Sequence, residues 1–281
     1  SPQEKGAKLT LSEAIEQTYE AKWKYNKDSQ RSYRRAQNLM QITGDIKLSE
    51  VTASTVTKLT KVLEARGSTP ATVNRYLASL KTILKHHHQP SSYVSLRKER
   101  KKRTRILTKE EERIMLDTFY KIFIRRGGYY AEMVDLVSVL VDTGMRLSEG
   151  LGLSYSDIDF SSNLITIWIN KSDRPRSIPM TSRVRSILLK RQEQNPLQPF
   201  TMKAHQAETA WKQLRKELDW QGPDHPVIHT LRHTCASRMV NAGVDLYVVK
   251  EVLGHASIQV TERYAHLAPH KLADAVAALE D

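Results

Sequence analysis

His229-Thr230-Leu231-Arg232 is followed by Leu253-Gly254-His255 and then by Tyr264, all within the last third of the chain. Pro226-Val-Ile leads into the first of these, and the apolar spacing beyond it predicts a helix over 230–242 with Arg232 in its opening turn. Such a terminus presents free N–H groups and the positive end of the helix dipole, which suits an anion. His229 lies three residues earlier, on the same side. Leu246, Val249, Val252 and Leu253 predict a second helix over 245–253, stopped by Gly254, so that His255 falls on a tight turn. Upstream, Thr143-Gly144-Met145-Arg146-Leu147-Ser148-Glu149 places another arginine after a helix-stopping glycine, with a carboxylate one turn on to hold its guanidinium.

Working outward, the remainder reads as mainly helical with one small sheet. Thr10-Leu-Ser-Glu13 is a capping box opening a helix with Leu11, Ile15, Tyr19 and Trp23 at four-residue spacing. Helices are predicted over 29–42, from the Thr52 cap to Gly67, and from Thr69-Pro70 to about His88, giving a bundle of four. Thr108-Lys-Glu-Glu111 is a second capping box, followed by helices near 109–125 and 130–143. β-Branched alternation in Leu164-Ile-Thr-Ile-Trp-Ile169 predicts strands over 157–160, 164–170 and 176–179. Further helices are expected at 182–194, 204–219 and 270–279. The domains are read as a disordered segment 1–8, a helical domain 9–95, a basic linker 96–107 and a larger second domain 108–281.

Charge separates the two halves. Residues 1–105 hold 22 basic and 9 acidic side chains, whereas the rest hold 22 of each, so the whole net +13 lies in the first part. That asymmetry points to polyanion binding driven by counterion release. Seven of the nine residues Arg97, Lys98, Glu99, Arg100, Lys101, Lys102, Arg103, Thr104 and Arg105 are basic, and the seven are candidate phosphate contacts. His86-His87-His88 carries no accompanying ligand set, and adjacent histidines on a helix diverge, so surface or DNA contact is preferred to metal. One cysteine, Cys235, excludes an internal disulfide and a Cys-rich zinc site; its apolar helical setting reads as a buried structural thiol. No apolar run approaches the ~18 residues of a membrane span. A cytoplasmic protein, bacterial or phage-encoded and nucleoid-associated, is expected. The chain opens on Ser1 rather than Met, and an excised or tag-cleaved fragment is expected.

Two arginines, two histidines and a tyrosine supply what metal-free attack on a phosphodiester needs: a nucleophile, cations for the non-bridging oxygens, and proton carriers. Arg suits the phosphate because its planar fork binds two oxygens and stays charged. Tyr264 needs help, since a phenol of pKa ~10 is a poor nucleophile at neutral pH; His255 and His229 are the expected neighbours. Lys171, in the Lys-Ser-Asp-Arg174 turn between two strands, is a candidate mobile general acid. Singly, each of these residues reads as a surface ion pair, a helix cap or a core aromatic. The ordered set is what carries weight, and no acidic cluster accompanies it to hold a metal.

That set, Thr-Gly-Met-Arg146-Leu-Ser-Glu149, Lys171, His229-Thr-Leu-Arg232-His-Thr, Leu-Gly-His255 and Tyr264, resembles the tyrosine recombinase (phage integrase) family over residues 9–281. The resemblance implies a two-domain DNA clamp, with a SAM-like helical core-binding domain and a catalytic domain. Arg146, Lys171, His229, Arg232 and His255 would gather around the scissile phosphate, with Glu149 behind Arg146. Tyr264 would attack to give a 3′-phosphotyrosine and a free 5′-hydroxyl that Lys171 protonates. Neither cofactor nor metal is implied. Partners would be double-stranded DNA, three further copies in a homotetramer acting through a Holliday junction, and accessory DNA-bending proteins; no membrane is involved. Residues 269–281 would be a helix that docks on a neighbouring subunit. The small arm-binding domain of lambda-type integrases is expected to be absent, since the chain begins almost at the core-binding helix. Strand relaxation of the type IB topoisomerase kind, and a non-catalytic helical DNA-binding protein, are the alternatives.

Overall fold

The computed structural model describes residues 1–99, 104–168, 175–269 and 272–280. The chain divides into two compact units, Ser1–Lys102 and Arg103–Asp281. In the first, α1 (Pro2–Lys8), α2 (Leu11–Thr18), α3 (Ser29–Thr43), α4 (Ala53–Ala65) and α5 (Pro70–His86) surround a core that includes Leu11, Ile15, Leu39, Leu59, Leu63, Leu77, Leu80 and Leu84. Each such side chain contributes about 1.5–3 kcal/mol on burial. Thr10 and Glu13 cap α2 reciprocally, as their spacing predicts, and α2 runs on into a π-helical stretch at Tyr19–Trp23.

Two expectations are corrected here. Residues 1–8 are helical rather than disordered: Ser1 and Glu4 form a capping box, and α1 docks on the end of α5 through a glycine. A Cβ on Gly6 would lie 2.1 Å from the His87 carbonyl oxygen, and the Gln89 amide donates to Gln3 O at 2.9 Å. A contact made by backbone leaves no apolar period to read. His87 in turn is a core residue, not a surface one. It is 7% exposed, with Nε2 3.1 Å from Ala14 O and 3.3 Å from Thr18 Oγ1.

The second unit begins with α6 (Lys109–Arg126) behind the Thr108/Glu111 capping box, then α7 (Tyr130–Thr143) and the short α8 (Leu147–Leu151). Strands β1 (Ile158–Asp159), β2 (Leu164–Ile167) and β3 (Arg176–Pro179) form an antiparallel sheet in the order β1-β2-β3. Ile165 pairs with Ile158 on one side and Ile178 on the other, and all three are buried. The strands are shorter than their sequence pattern predicts. Trp168, just past β2, is 61% exposed and donates to Asp157 Oδ1 at 2.9 Å. Helices α9 (Ser182–Gln194), α10 (Ala204–Glu217), α11 (Thr230–Asn241), α12 (Leu246–Leu253), α13 (Ile258–Glu262) and α14 (Leu272–Glu280) complete the unit.

Its main core joins α6, α7, the sheet, α9, α10 and the start of α11. Buried charge fixes α11 further. Glu112 on α6 accepts from Arg183 Nη2 at 2.8 Å and pairs with Arg238 Nη1 at 2.5 Å, and Arg183 also reaches Asp142 at 2.6 Å. Burial pushes the Glu112 carboxyl up, but the two guanidinium groups prevail and hold it below its ordinary value. A separate small core of Ala236, Val240, Val249, Leu253 and Tyr264 binds α11, α12 and the segment after α13.

Candidate active site

Helix α7 stops because Gly144 turns left-handed, at φ +68°. A Cβ there would lie 2.4 Å from Leu253 Cδ2, so glycine lets the turn pass directly beneath the end of α12. Arg146 then caps α8. Its backbone N–H donates to Glu149 Oε2 at 2.8 Å and its Nη1 to Oε1 at 3.0 Å. The same carboxylate takes the fork of Arg176 on β3, Nη1 to Oε1 at 2.9 Å and Nη2 to Oε2 at 2.8 Å. Burial pushes the Glu149 carboxyl up; the bonds from Arg176 and Arg146 outweigh it and leave it below the ordinary range. Glu149 therefore stays anionic and presents Arg146 in one rotamer.

Arg176 was not apparent as a site residue, yet it ties the region together. Besides Glu149 it donates through Nε to Val252 O at 2.9 Å, and its side chain is 5% exposed. Gly254 accommodates it: φ is +68°, and a Cβ would lie 2.8 Å from Arg176 Cδ. The glycine that stops α12 thus also makes room for the arginine that clamps β3 to α8. Breaking a buried ion pair on one side costs about 3–5 kcal/mol. Arg176→Met is accordingly expected to lower the melting midpoint by on the order of 10 °C. A midpoint within two or three degrees of wild type would show that Glu149 is satisfied without it.

Arg232 is 3% exposed. Nη1 donates to Gly144 O and Nη2 to Leu253 O, both at 2.6 Å, so one guanidinium closes the C-terminal ends of α7 and α12. Burial, then the neighbouring Arg146, draws its pKa down to about 10, which leaves it cationic at neutral pH. His229 immediately precedes α11 and is exposed, with its ring edge-on to His233 at 4.9 Å between centroids. His255 accepts or donates through Nδ1 to the buried Thr261 hydroxyl at 2.7 Å. Burial and the charges of Arg232 and Arg146 push its pKa down to about 3, so it is neutral.

Tyr264 follows α13 and is 2% exposed. Its hydroxyl is hydrogen-bonded to His233 Nδ1, not to His229 or His255 as the sequence suggested. Burial raises the phenol pKa, with Arg263 and Arg232 opposing. The structure brings Arg146, Glu149, Arg232, His255 and Tyr264 together around the ends of α7 and α12, with His229 one turn from His233. Lys171 lies outside the described residues, as do Arg100, Lys101, Lys102 and Arg103. Of the remaining basic candidates, Lys98 is exposed. Arg97 pairs with Glu64 at 3.1 Å, and Arg105 Nη2 with Glu111 at 2.5 Å. Cys235 is buried beneath Gly144, its thiol pushed up to about 12 by burial, as befits a structural residue. Among the described residues no group of three or more His, Cys, Asp or Glu is disposed to hold a metal ion, and no helix is long and apolar enough to cross a membrane.

Arg176, His233 and Thr261 were missed, although two left signals. Arg176 shares the inward face of β3 with Ile178, and His233 sits one turn after His229, which caps the same helix. Thr261 had none.

Residues 105–271 match the phage integrase family. The chain belongs to that family. It is similar to the tyrosine recombinase XerC of Pediococcus pentosaceus, 29% identical over 201 residues that cover 65% of this chain and 64% of that one. The tyrosine recombinase XerA of Pyrococcus furiosus is 27% identical over 76% of each chain, and XerD of Neisseria meningitidis 31% identical over 47% and 50%. The chain therefore spans between half and three-quarters of the length of these relatives. In fold it matches the Tn1549 transposon integrase bound to transposon right end DNA, with TM-score 0.74, 18% identity and coverage of 97% and 99%. A lambda integrase tetramer on a Holliday junction matches with TM-score 0.74, 14% identity and coverage of 92% and 77%.

Proposed function

We propose that this chain is a tyrosine site-specific recombinase that cleaves and rejoins double-stranded DNA through a 3′-phosphotyrosine. The observation that carries the reading is a buried Tyr264 held on the helix whose first turn bears Arg232, beside an Arg146 fixed by Glu149. Arg146 and Arg232 neutralise the charge that develops on the non-bridging oxygens, a role for which preorganised donors are effective. Lys171 protonates the leaving 5′-oxygen, while His229 and His255 complete the phosphate's hydrogen-bonding shell. The family match and the recombinase relatives support this over strand relaxation or passive binding.

In this reading residues 9–95 grip the core of the recombination site and residues 96–107, from Arg97 through Arg105, track the backbone. Four protomers act together, as in the lambda integrase tetramer bound to a Holliday junction. The work takes place in the bacterial cytoplasm.

The test is covalent trapping. Wild-type protein is incubated with a randomised library of nicked duplexes whose 5′-hydroxyl fragment diffuses away after cleavage. A denaturant-resistant protein–DNA band is expected; its absence across the library would remove the reading. The charge assignment has its own check. A fragment of residues 1–105 is expected to bind duplex DNA with a steep salt dependence, losing roughly 10³-fold between 50 and 200 mM salt if about six phosphates are neutralised. Affinity that is absent, or indifferent to salt, would refute the assignment.

A further inference from the structure

The six residues of the proposed site leave the nucleophile's own proton unaccounted for. Tyr264 is 2% exposed, so water has little access to its hydroxyl. The phenolic proton must then pass to a group that touches the hydroxyl, either the substrate phosphate or a side chain already hydrogen-bonded to it. The group in hydrogen-bonding contact is His233 Nδ1. His233 sits next to Arg232 on α11, and successive side chains on a helix diverge by about 100°. Arg232 therefore turns to the carbonyls of Gly144 and Leu253 while His233 turns to Tyr264. One rigid helix sets both the cation and the proton acceptor.

We propose that His233 is a catalytic residue, taking the phenolic proton of Tyr264 during cleavage and returning it during rejoining. This rests on the recombinase reading above. In cleavage the Tyr264 O–H bond breaks and its proton passes to His233 Nδ1. The phenolic oxygen bonds to phosphorus, the bond from phosphorus to the 5′-oxygen breaks, and that oxygen receives a proton from Lys171. Rejoining runs each transfer backwards, so no outside acid, base or oxidant is consumed.

The surroundings suit a resting acceptor. Burial, then the charges of His229, Arg263 and Arg232, draws the imidazole pKa down to about 4, so the ring is neutral. With the phenol donating, Nδ1 bears the lone pair and Nε2 the hydrogen. An arriving phosphodiester brings negative charge among these cations and raises the ring's affinity for a proton when transfer is needed. Acid–base catalysis by one placed side chain is worth about 10²–10⁴-fold.

The test uses the full chain and a nicked duplex recovered by wild-type capture from the randomised library. His233→Asn keeps an acceptor atom for the Tyr264 hydroxyl but cannot take its proton. Its single-turnover rate of adduct formation is expected to fall by about 100-fold or more, with DNA affinity kept within about twofold. A duplex with sulfur in place of the bridging 5′-oxygen needs no proton on its leaving group. It is expected to restore Lys171→Ala and not His233→Asn. A loss smaller than 100-fold, or rescue of His233→Asn by the sulfur substrate, would overturn the assignment. Should the Asn variant melt below the assay temperature, His233→Gln is read by the same criteria. If wild type itself captures no duplex, the recombinase reading fails and takes the proposal with it. If wild type captures and His233→Asn keeps pace, only the role of His233 fails.

Discussion

Tyr264→Phe is expected to abolish the covalent protein–DNA band while leaving native-gel affinity within about twofold of wild type. The substitution removes one oxygen and little else. The ring remains within the small core formed with Ala236, Val240, Val249 and Leu253, so the fold of α11 and α12 is preserved. His233 Nδ1 loses its partner, and an orphaned buried acceptor costs about 1–3 kcal/mol, too little to unfold the unit. The measurement is adduct yield on the captured nicked duplex. An adduct formed by the variant would move the nucleophile elsewhere, and Tyr247 on α12, 65% exposed, would be the first candidate.

Arg232→Ala is expected to act twice. Removing a preorganised donor to the developing phosphate charge costs about 10²–10³-fold in cleavage. The same change strips Gly144 O and Leu253 O of their buried donors, at about 1–3 kcal/mol each. Rate and melting midpoint should therefore fall together. Arg232→Lys tests the planar fork apart from the charge. A lysine restores charge but is a single point donor, unable to span two carbonyls that a planar fork reaches at once. Its midpoint is expected to remain depressed, and single-turnover cleavage to stay at least tenfold below wild type. Cleavage at the wild-type rate by either variant would take Arg232 out of the transition state.

Much of this was legible in the chain. The boxes at Thr10 and Thr108, the stops at Gly144 and Gly254, and the alternation of 164–167 are local signals, and each lies where its spacing predicts. Fold class and the family followed from them and from the ordered Arg, His and Tyr set. What escaped was chemistry made between distant segments. Nothing near Glu149 announces Arg176, 27 positions on, and nothing near Arg232 announces the Gly144 carbonyl, 88 positions back. The partner of Tyr264 was misjudged for the same reason. Proximity in sequence favoured His255, but the turn after Gly254 spends its Nδ1 on Thr261. The N-terminal helix escaped because its contact is a glycine against backbone.

The carboxylate shared by Arg146 and Arg176 also bears on inheritance. Glu149 answers two guanidinium groups from separate segments, one exposed enough to meet a phosphate and one sealed inside. Loss of the glutamate strands a buried cation and loosens a half-buried one in the same step, while loss of Arg176 leaves a buried anion half-answered. An amino-acid change at either 149 or 176 is therefore expected to disturb α8 and β3 together. Positions 149 and 176 are expected to tolerate replacement better as a pair than singly, since a paired apolar substitution leaves no buried charge unanswered.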